Sequence, residues 1–198
     1  MKRLDVAFIL FFILAFCAGA LVARGRASGV PLQASSNPPS ASTIVKPHIF
    51  VSLDPVPRGK EFKVAVVADI ASGFHMNSHK PTDEYLIATT LKAELPAGFE
   101  LIDTIYPKGK LEKFAFSPEH PLDVYSESVT LVLRLSAKSA AVLGHAEIPM
   151  TLRYQACNDS TCLPPVKLTL TAKFNLAQES ATPKEVHPEI FSRLVPAR

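Results

Sequence analysis

The feature of this sequence that most constrains its fold is a period-two alternation of apolar and polar residues. Successive side chains of a β-strand point to opposite faces, so each alternating segment offers one apolar face to a core. The clearest segments cover residues 60–70, 129–135, 148–156 and 166–174. Weaker strands are predicted at residues 49–53, 74–77, 86–95 and 99–105, between turns rich in Pro, Gly and Asp. About eight strands without βαβ alternation predict an all-β fold of two packed antiparallel sheets, with a half-open barrel as the alternative.

Composition excludes several other classes. Hydrophobic residues make up 47% of the 198 residues and charged residues 20%, which rules out a chain that is disordered throughout. The 17 prolines argue against an all-helical fold, because proline interrupts helices. The formal net charge of +3, with no basic stripe, argues against binding to nucleic acid.

The two ends of the chain differ from its middle. Lys2 and Arg3 precede an apolar run, so residues 1–23 are predicted to be a signal peptide or an N-terminal membrane anchor of an exported protein. Residues 24–47 are predicted to be a linker because they are rich in Pro and Ser. The folded domain is expected at residues 48–176, followed by a C-terminal tail at residues 177–198.

Two of the three cysteines, Cys157 and Cys162, flank a turn between two strong strands. If those strands pair as a hairpin, the cysteines oppose each other with Cα atoms about 4.5–5.5 Å apart, within reach of a disulfide. An exported protein allows such a bond to form. Closing so short a loop stabilises a fold by only about 2 kcal/mol, against about 4–5 for a hundred-residue loop. The spacing favours a bond that is made and broken, but a structural staple stays open as the alternative.

Other kinds of site have weaker support. His75 and His79 together with the two cysteines would supply two nitrogens and two sulfurs for zinc, but the histidines lie on a different strand and are more often ordinary packing residues. There is no Gly-x-Ser-x-Gly motif and no phosphate-binding glycine loop. The longest irregular stretch, residues 106–123, is predicted to be either a lid over a site or an insertion without function.

The cysteine segment resembles a known family. Tyr154-Gln155-Ala156-Cys157, a polar turn, and Cys162-Leu163-Pro164-Pro165 are similar to the redox motif of the N-terminal periplasmic domain of DsbD-type thiol:disulfide interchange proteins. Residues 73–81, 83–86 and 95–98 extend the resemblance, which covers about residues 49–174. It implies an immunoglobulin-like antiparallel β-sandwich whose two cysteines cycle between dithiol and disulfide, with no other cofactor and no metal.

The resemblance also implies partners and roles. Cys162 would be the thiolate that attacks a partner's disulfide, and Cys157 would resolve the mixed disulfide. Electrons would come from a membrane reductase through a thioredoxin-fold donor and pass to thioredoxin-fold acceptors, among them disulfide isomerases and cytochrome c maturation proteins. Well-known family members continue into a membrane domain and a thioredoxin-like domain. This sequence has neither, so we expect a separate reductase.

Further residues follow from the same resemblance. The family shields its cysteines with an aromatic side chain on a cap loop, a role that falls here to Phe114 or Phe116 in residues 106–123. His75, Asn77 and Tyr154 are expected near the cysteines. Some members separate the cysteines by five residues, whereas this sequence has four between them. The alternative to an electron relay is a non-catalytic, exported β-sandwich interaction module with a structural disulfide.

Overall fold

The computed structural model describes residues 39–192, and strands dominate them. The elements are a 3-10 helix (Ala41–Thr43), β1 (Val45–Val51), β2 (Leu53–Asp54), β3 (Val56–Pro57), β4 (Glu61–Ile70), β5 (His75–Asn77), β6 (Thr90–Ala93), β7 (Phe99–Ile105), β8 (Lys110–Phe114), β9 (Ser117–Ser126), β10 (Ser128–Ala137), β11 (Gly144–Tyr154), β12 (Ala156–Cys157), β13 (Val166–Ala177), β14 (Lys184–Glu185) and α1 (Pro188–Phe191). The segment predicted as signal peptide or anchor lies outside the described residues. Between residues 39 and 192, no helix reaches the length and apolar character that crossing a bilayer requires.

The strands form two main sheets and a third, smaller one. The first sheet has the order β1-β4-β10-β7, the second β3-β13-β11-β6, and the third β12-β5-β9-β8. A two-stranded ribbon joins β14 to β2. Within residues 39–192 all pairings are antiparallel except the short contact between β3 and β13. The predicted all-β, immunoglobulin-like antiparallel sandwich is confirmed.

The main core lies between the apolar faces that the alternation predicted. In the first sheet, Val64 of β4 is paired with Leu133 of β10, and both are fully buried. In the second sheet, Ile148, Met150 and Leu152 of β11 are buried while the residues between them are more exposed. Alternate residues of β4, β10 and β11 therefore face this core.

The linker predicted at residues 24–47 includes residues that belong to the folded domain. Ile44 and Val45 are buried in the main core, and β1 starts at Val45. Pro47 made this segment look irregular, but β1 is an edge strand, where proline is tolerated because only one side needs backbone partners. At the other end, the segment predicted as a tail contains β14 and α1.

Residues 106–123 are not irregular, contrary to the prediction. They include β8 and most of β9, which pair as a hairpin with a shift of register between Glu112 and Phe114. Pro118 and Pro121 interrupt the strand pattern, and both fall in the part of β9 between its two stretches of pairing with β8.

Candidate functional site

The third sheet has two faces with different environments. Met76, Tyr125 and Ala156 are mutually aligned across β5, β9 and β12, and all three belong to the main core. The alternate positions of the same strands carry His75 and Cys157 on the opposite face. Cross-strand register partners project from the same side of a sheet, so the histidine and the cysteine are neighbours there.

The two cysteines lie where the chain crosses from one sheet to another. The pairing of β11 with β13 ends at Tyr154 and Val166, and after Gln155 the chain enters β12 of the third sheet. Cys157 and Cys162 then form an isolated antiparallel bridge and are joined by a disulfide, with Cα atoms 3.9 Å apart. The cysteines thus oppose each other across a hairpin neck that is separate from the long β11–β13 ladder.

The turn between the cysteines is held by its first residue. The side-chain oxygen of Asn158 accepts hydrogen bonds from the backbone N–H groups of Ser160 and Thr161, each at 2.9 Å. The backbone N–H of Asn158 donates to the carbonyl of Thr161 at 2.9 Å. Asparagine stabilises turns in this way because its short side chain reaches the backbone two and three residues on. The local structure fixes the separation of the cysteines without help from the main core.

The two cysteines differ in their exposure. Cys157 is fully buried, at 0% exposed, whereas Cys162 is partly exposed. Cys157 lies in a strand that pairs with β5, while Cys162 follows an exposed turn. Cys162 is therefore the more accessible of the two residues.

An aromatic stack covers the face that carries Cys157. The ring of Phe114 at the end of β8 lies 4.0 Å from the ring of His75, at an angle of 20° between their planes. The ring of Phe116 stacks on the far side of Phe114 at 5.5 Å. Phe114 is 8% exposed and packs in a small cluster with Leu122 and Val124, whereas Phe116 is 40% exposed. Of the two predicted shielding residues, Phe114 is the inner one and Phe116 the outer one.

His75 is buried and chemically unsatisfied. It is 3% exposed, and its Nε2 atom has no hydrogen-bond partner. Burial lowers the pKa of His75 below 6.5, and the carboxylates of Glu112 and Asp159 oppose this shift only in part. The imidazole is therefore neutral at neutral pH.

Asn77 and Gln155 connect the cysteine turn to the third sheet. The side-chain amide of Asn77, which is fully buried, donates to Gln155 Oε1 at 3.1 Å and to the carbonyl of Ile87 at 3.2 Å. Gln155 in turn donates to the carbonyl of Leu163, the residue after Cys162, at 3.3 Å. Gln155 occurs in the cysteine motif of the sequence, but this connecting role was not predicted for it.

Tyr154 lies on the other side of the chain. Its ring is fully buried in the main core, and its hydroxyl donates to the carbonyl of Ala41 at 2.7 Å. Burial raises the pKa of Tyr154, so the hydroxyl stays protonated and able to donate. Tyr154 anchors the 3-10 helix at the start of the domain to β11.

The zinc alternative lacks a suitable cluster. Across the described part of the chain, no three His, Cys, Asp or Glu side chains are grouped as a metal site requires. His79 is engaged elsewhere, because its Nδ1 atom lies 3.0 Å from the carbonyl of Thr89 and its ring stacks on Tyr106 at 3.6 Å. The histidine that does lie beside the cysteines is His75.

Fold and site together define a class: an immunoglobulin-like domain that carries a disulfide on an accessory sheet. Comparison with known families makes this specific. The family model described as "Thiol:disulfide interchange protein DsbD, N-terminal" matches residues 41–173, so the chain belongs to this family. Membership gives the domain a role in thiol–disulfide exchange.

Solved structures include similar domains. The reduced N-terminal domain of DsbD from Neisseria meningitidis is 20% identical, with coverage of 71% of this chain and 91% of that one and a TM-score of 0.43. The same domain in complex with the PilB N-terminal domain is 19% identical, with 69% and 87% coverage and a TM-score of 0.42. The N-terminal periplasmic domain of ScsB from Proteus mirabilis is 16% identical, with 61% and 43% coverage and a TM-score of 0.44. A search of curated proteins found no match.

Proposed function

We propose that this domain relays reducing equivalents in the periplasm. A thioredoxin-fold donor, itself reduced by a separate membrane reductase, reduces the Cys157–Cys162 disulfide. The resulting dithiol then reduces disulfides in exported thioredoxin-fold proteins. Residues 1–23 direct the chain across the membrane in this proposal, and they either are removed or tether the domain. The family membership of residues 41–173 supports the exchange chemistry on which the relay depends.

The observation that carries the proposal is the unequal exposure of the two cysteines. Thiol–disulfide exchange needs one sulfur that a partner can reach and a second that completes the reaction within the domain. The partly exposed Cys162 suits the first role, and the buried Cys157 suits the second. A disulfide kept only for stability would gain little at this place, because it closes a six-residue loop whose ends are already held by the turn of Asn158.

The exchange steps balance in electrons and protons. A donor thiolate attacks Cys162 Sγ, the Cys157–Cys162 bond breaks, and Cys157 leaves as a thiolate that takes a proton. The donor's second thiolate attacks its own sulfur in the mixed disulfide and releases Cys162. The donor is thereby oxidised by two electrons, and the domain is left as a dithiol. In the second half-reaction the Cys162 thiolate attacks an acceptor disulfide, and Cys157 resolves the mixed disulfide.

Phe114 is the residue we assign to shielding the cysteines. It stacks on His75, the register partner of Cys157, and its burial in the cluster with Leu122 and Val124 gives it a defined position. Phe116 covers Phe114 from outside and is partly exposed, so it suits first contact with a partner. Opening this stack would expose the cysteine-bearing face for docking.

Trapping experiments test the relay. Cys162→Ala is expected to abolish exchange with a reduced thioredoxin-fold donor, because the reachable sulfur is gone. Cys157→Ala is expected to accumulate a mixed disulfide between Cys162 and the partner, visible on a non-reducing gel and by intact mass. If trapping instead occurs through Cys157 in the Cys162→Ala variant, the two roles are reversed.

The reduction potential separates the relay from a structural disulfide. Structural disulfides of secreted proteins have potentials below about −300 mV, and exchange proteins lie between about −270 and −120 mV. Equilibration of the domain with a thioredoxin-fold reference protein measures this value. A potential below about −300 mV, together with no trapped partner, would leave a non-catalytic interaction module as the function.

A further inference from the structure

The unsatisfied nitrogen of His75 calls for a partner. In the disulfide form, His75 Nε2 is buried and neither donates nor accepts a hydrogen bond. An unpaired buried polar atom destabilises the folded state, so each one in a native structure needs an explanation. The atom lies on the face of the third sheet that carries Cys157.

His75 has two cross-strand register partners, and one of them already uses its hydrogen-bond donor. His75 is the register partner of Ser126 on β9 and of Cys157 on β12. The hydroxyl of Ser126 already donates to Glu112 Oε1 at 3.3 Å. Opposed side chains have Cβ atoms about 4.5–5.5 Å apart, which brings a cysteine sulfur within reach of an imidazole. A disulfide sulfur carries no hydrogen to donate, whereas a thiol does.

Resting on the proposed exchange function, we propose that His75 Nε2 is the proton acceptor for Cys157. In the reduced domain it accepts a hydrogen bond from the Cys157 thiol. When Cys162 is held in a mixed disulfide, the proton of Cys157 moves to Nε2 and the new thiolate attacks Cys162 Sγ. The Cys157–Cys162 bond forms, the partner leaves as a thiolate, and the imidazolium returns its proton to that thiolate or to water.

The electrostatic surroundings suit this role. Two carboxylates act on His75, Glu112 from β8 and Asp159 from the cysteine turn, and Phe114 covers the ring. Burial outweighs the carboxylates and lowers the pKa of His75 below 6.5, so the lone pair is available at neutral pH. A proton arriving on the imidazole is met by the nearby negative charges, which favour the charged form.

The first test measures the dithiol–disulfide equilibrium. His75→Phe keeps the stack on Phe114 but has no acceptor, so reduction no longer satisfies a buried group. We expect its equilibrium with a reference dithiol to shift about tenfold toward the disulfide, which corresponds to about 30 mV. His75→Gln places an amide oxygen near the position of Nε2 and is expected to restore the equilibrium to within about twofold of the parent protein.

The second test separates attack by Cys162 from resolution by Cys157. Reduced protein is mixed with one equivalent of an aromatic disulfide whose leaving thiolate absorbs visible light. The first thiolate released reports attack by Cys162 and the second reports resolution by Cys157. In the parent protein we expect the second phase to level off above the lowered pKa of His75, since neutral imidazole then takes the proton. In both His75→Phe and His75→Gln this phase should be at least about tenfold slower at pH 7 and rise steadily toward the thiol pKa of about 8.5.

His79→Phe is the matched control, because His79 also stacks on an aromatic ring but its Nδ1 contacts the carbonyl of Thr89. It should leave the equilibrium and the pH profile unchanged. An unchanged equilibrium and second-phase profile in His75→Phe would overturn the inference while exchange itself continued. A parent protein that shows no exchange with any thioredoxin-fold partner would instead overturn the proposed function.

Discussion

The two main sheets and the third sheet differ in strand length and in how completely their buried polar groups are paired. The main sheets are centred on long strands whose alternate residues are buried, as in β4, β10 and β11. The third sheet contains strands of three and two residues in β5 and β12. Among residues 39–192, four buried side-chain polar atoms lack a partner, and three of them, on His75, Asn77 and Asp123, belong to the third sheet. Unpaired buried polar atoms are therefore concentrated in the sheet that carries the disulfide.

The difference implies a division of labour. Burial of apolar area in the main core supplies most of the folding free energy, and the third sheet contributes fewer buried apolar side chains. The unpaired polar groups that the third sheet buries lower the stability of the domain. Substitutions in the main core should therefore change the free energy of unfolding. Substitutions in the third sheet should chiefly change access to the disulfide and local hydrogen exchange.

The largest effect on stability is expected from the main core. Leu133→Ala removes a fully buried side chain from the central strand β10 and is expected to lower the free energy of unfolding by about 2–5 kcal/mol. Denaturant unfolding of the oxidised protein measures this loss. Under native conditions, a small thiol should reduce the disulfide of this variant at a rate within about twofold of that of the parent protein. Leu111→Ala, at a position that is 67% exposed, is the matched control and should stay within about 0.5 kcal/mol. A Leu133 variant that greatly accelerates reduction would show that the two regions are not separable.

The next effect is on access to the disulfide. Phe114→Ala removes the inner ring of the aromatic stack, whose burial is worth about 1.5–3 kcal/mol. We expect reduction by a small thiol to accelerate about tenfold or more, since opening that face becomes easier. Stopped-flow measurement with Phe116→Ala as the control should give a smaller acceleration, because Phe116 is the more exposed ring. Equal rates for both variants would assign the shielding to the hairpin as a whole.

A smaller effect is expected at the connection between the sheets. Gln155→Ala removes the side-chain partner of the backbone N–H of Ile87 and of the carbonyl of Leu163, and one of the two acceptors of the Asn77 amide, at a cost of about 1–3 kcal/mol. Hydrogen exchange of the Ile87 amide is expected to accelerate, while amides in the centre of β10 and β11 keep their protection. Gln178→Ala, at an exposed position, serves as the control and should change neither. Loss of protection throughout the main sheets would contradict the separation.

The main sandwich could be predicted from the sequence because its rule is local. In a long half-buried strand, apolar and polar residues alternate according to the face on which each side chain lies. Strands β4 and β10 could therefore each be predicted from their own segment of sequence. The start of β1 and the β8–β9 hairpin were missed because Pro47, Pro118 and Pro121 interrupt the pattern, and whether a strand tolerates proline depends on which neighbours it has. The neighbours of a strand are set by the order of strands in the sheet, which the strand's own sequence does not contain.

The site was predictable only in its most local part. The opposition of Cys157 and Cys162 follows from four turn-forming residues, so sequence spacing sufficed. The stack of Phe114 on His75 joins residues 39 positions apart in the sequence, and its existence depends on β5 and β8 both flanking β9. Gln155 was overlooked because a single polar residue at the end of a strand has the composition of a surface position, and only the crossover into β12 places it among buried partners.

That crossover after Tyr154 has a consequence for how such domains diverge. The cysteine turn leaves the main sheets after Tyr154, and the chain rejoins them at Val166, so substitutions within the turn leave the pairing of β11 with β13 in place. The disulfide can therefore diverge with little effect on the framework. A protein engineer could likewise graft different cysteine turns onto this framework and obtain a graded set of disulfides from one scaffold.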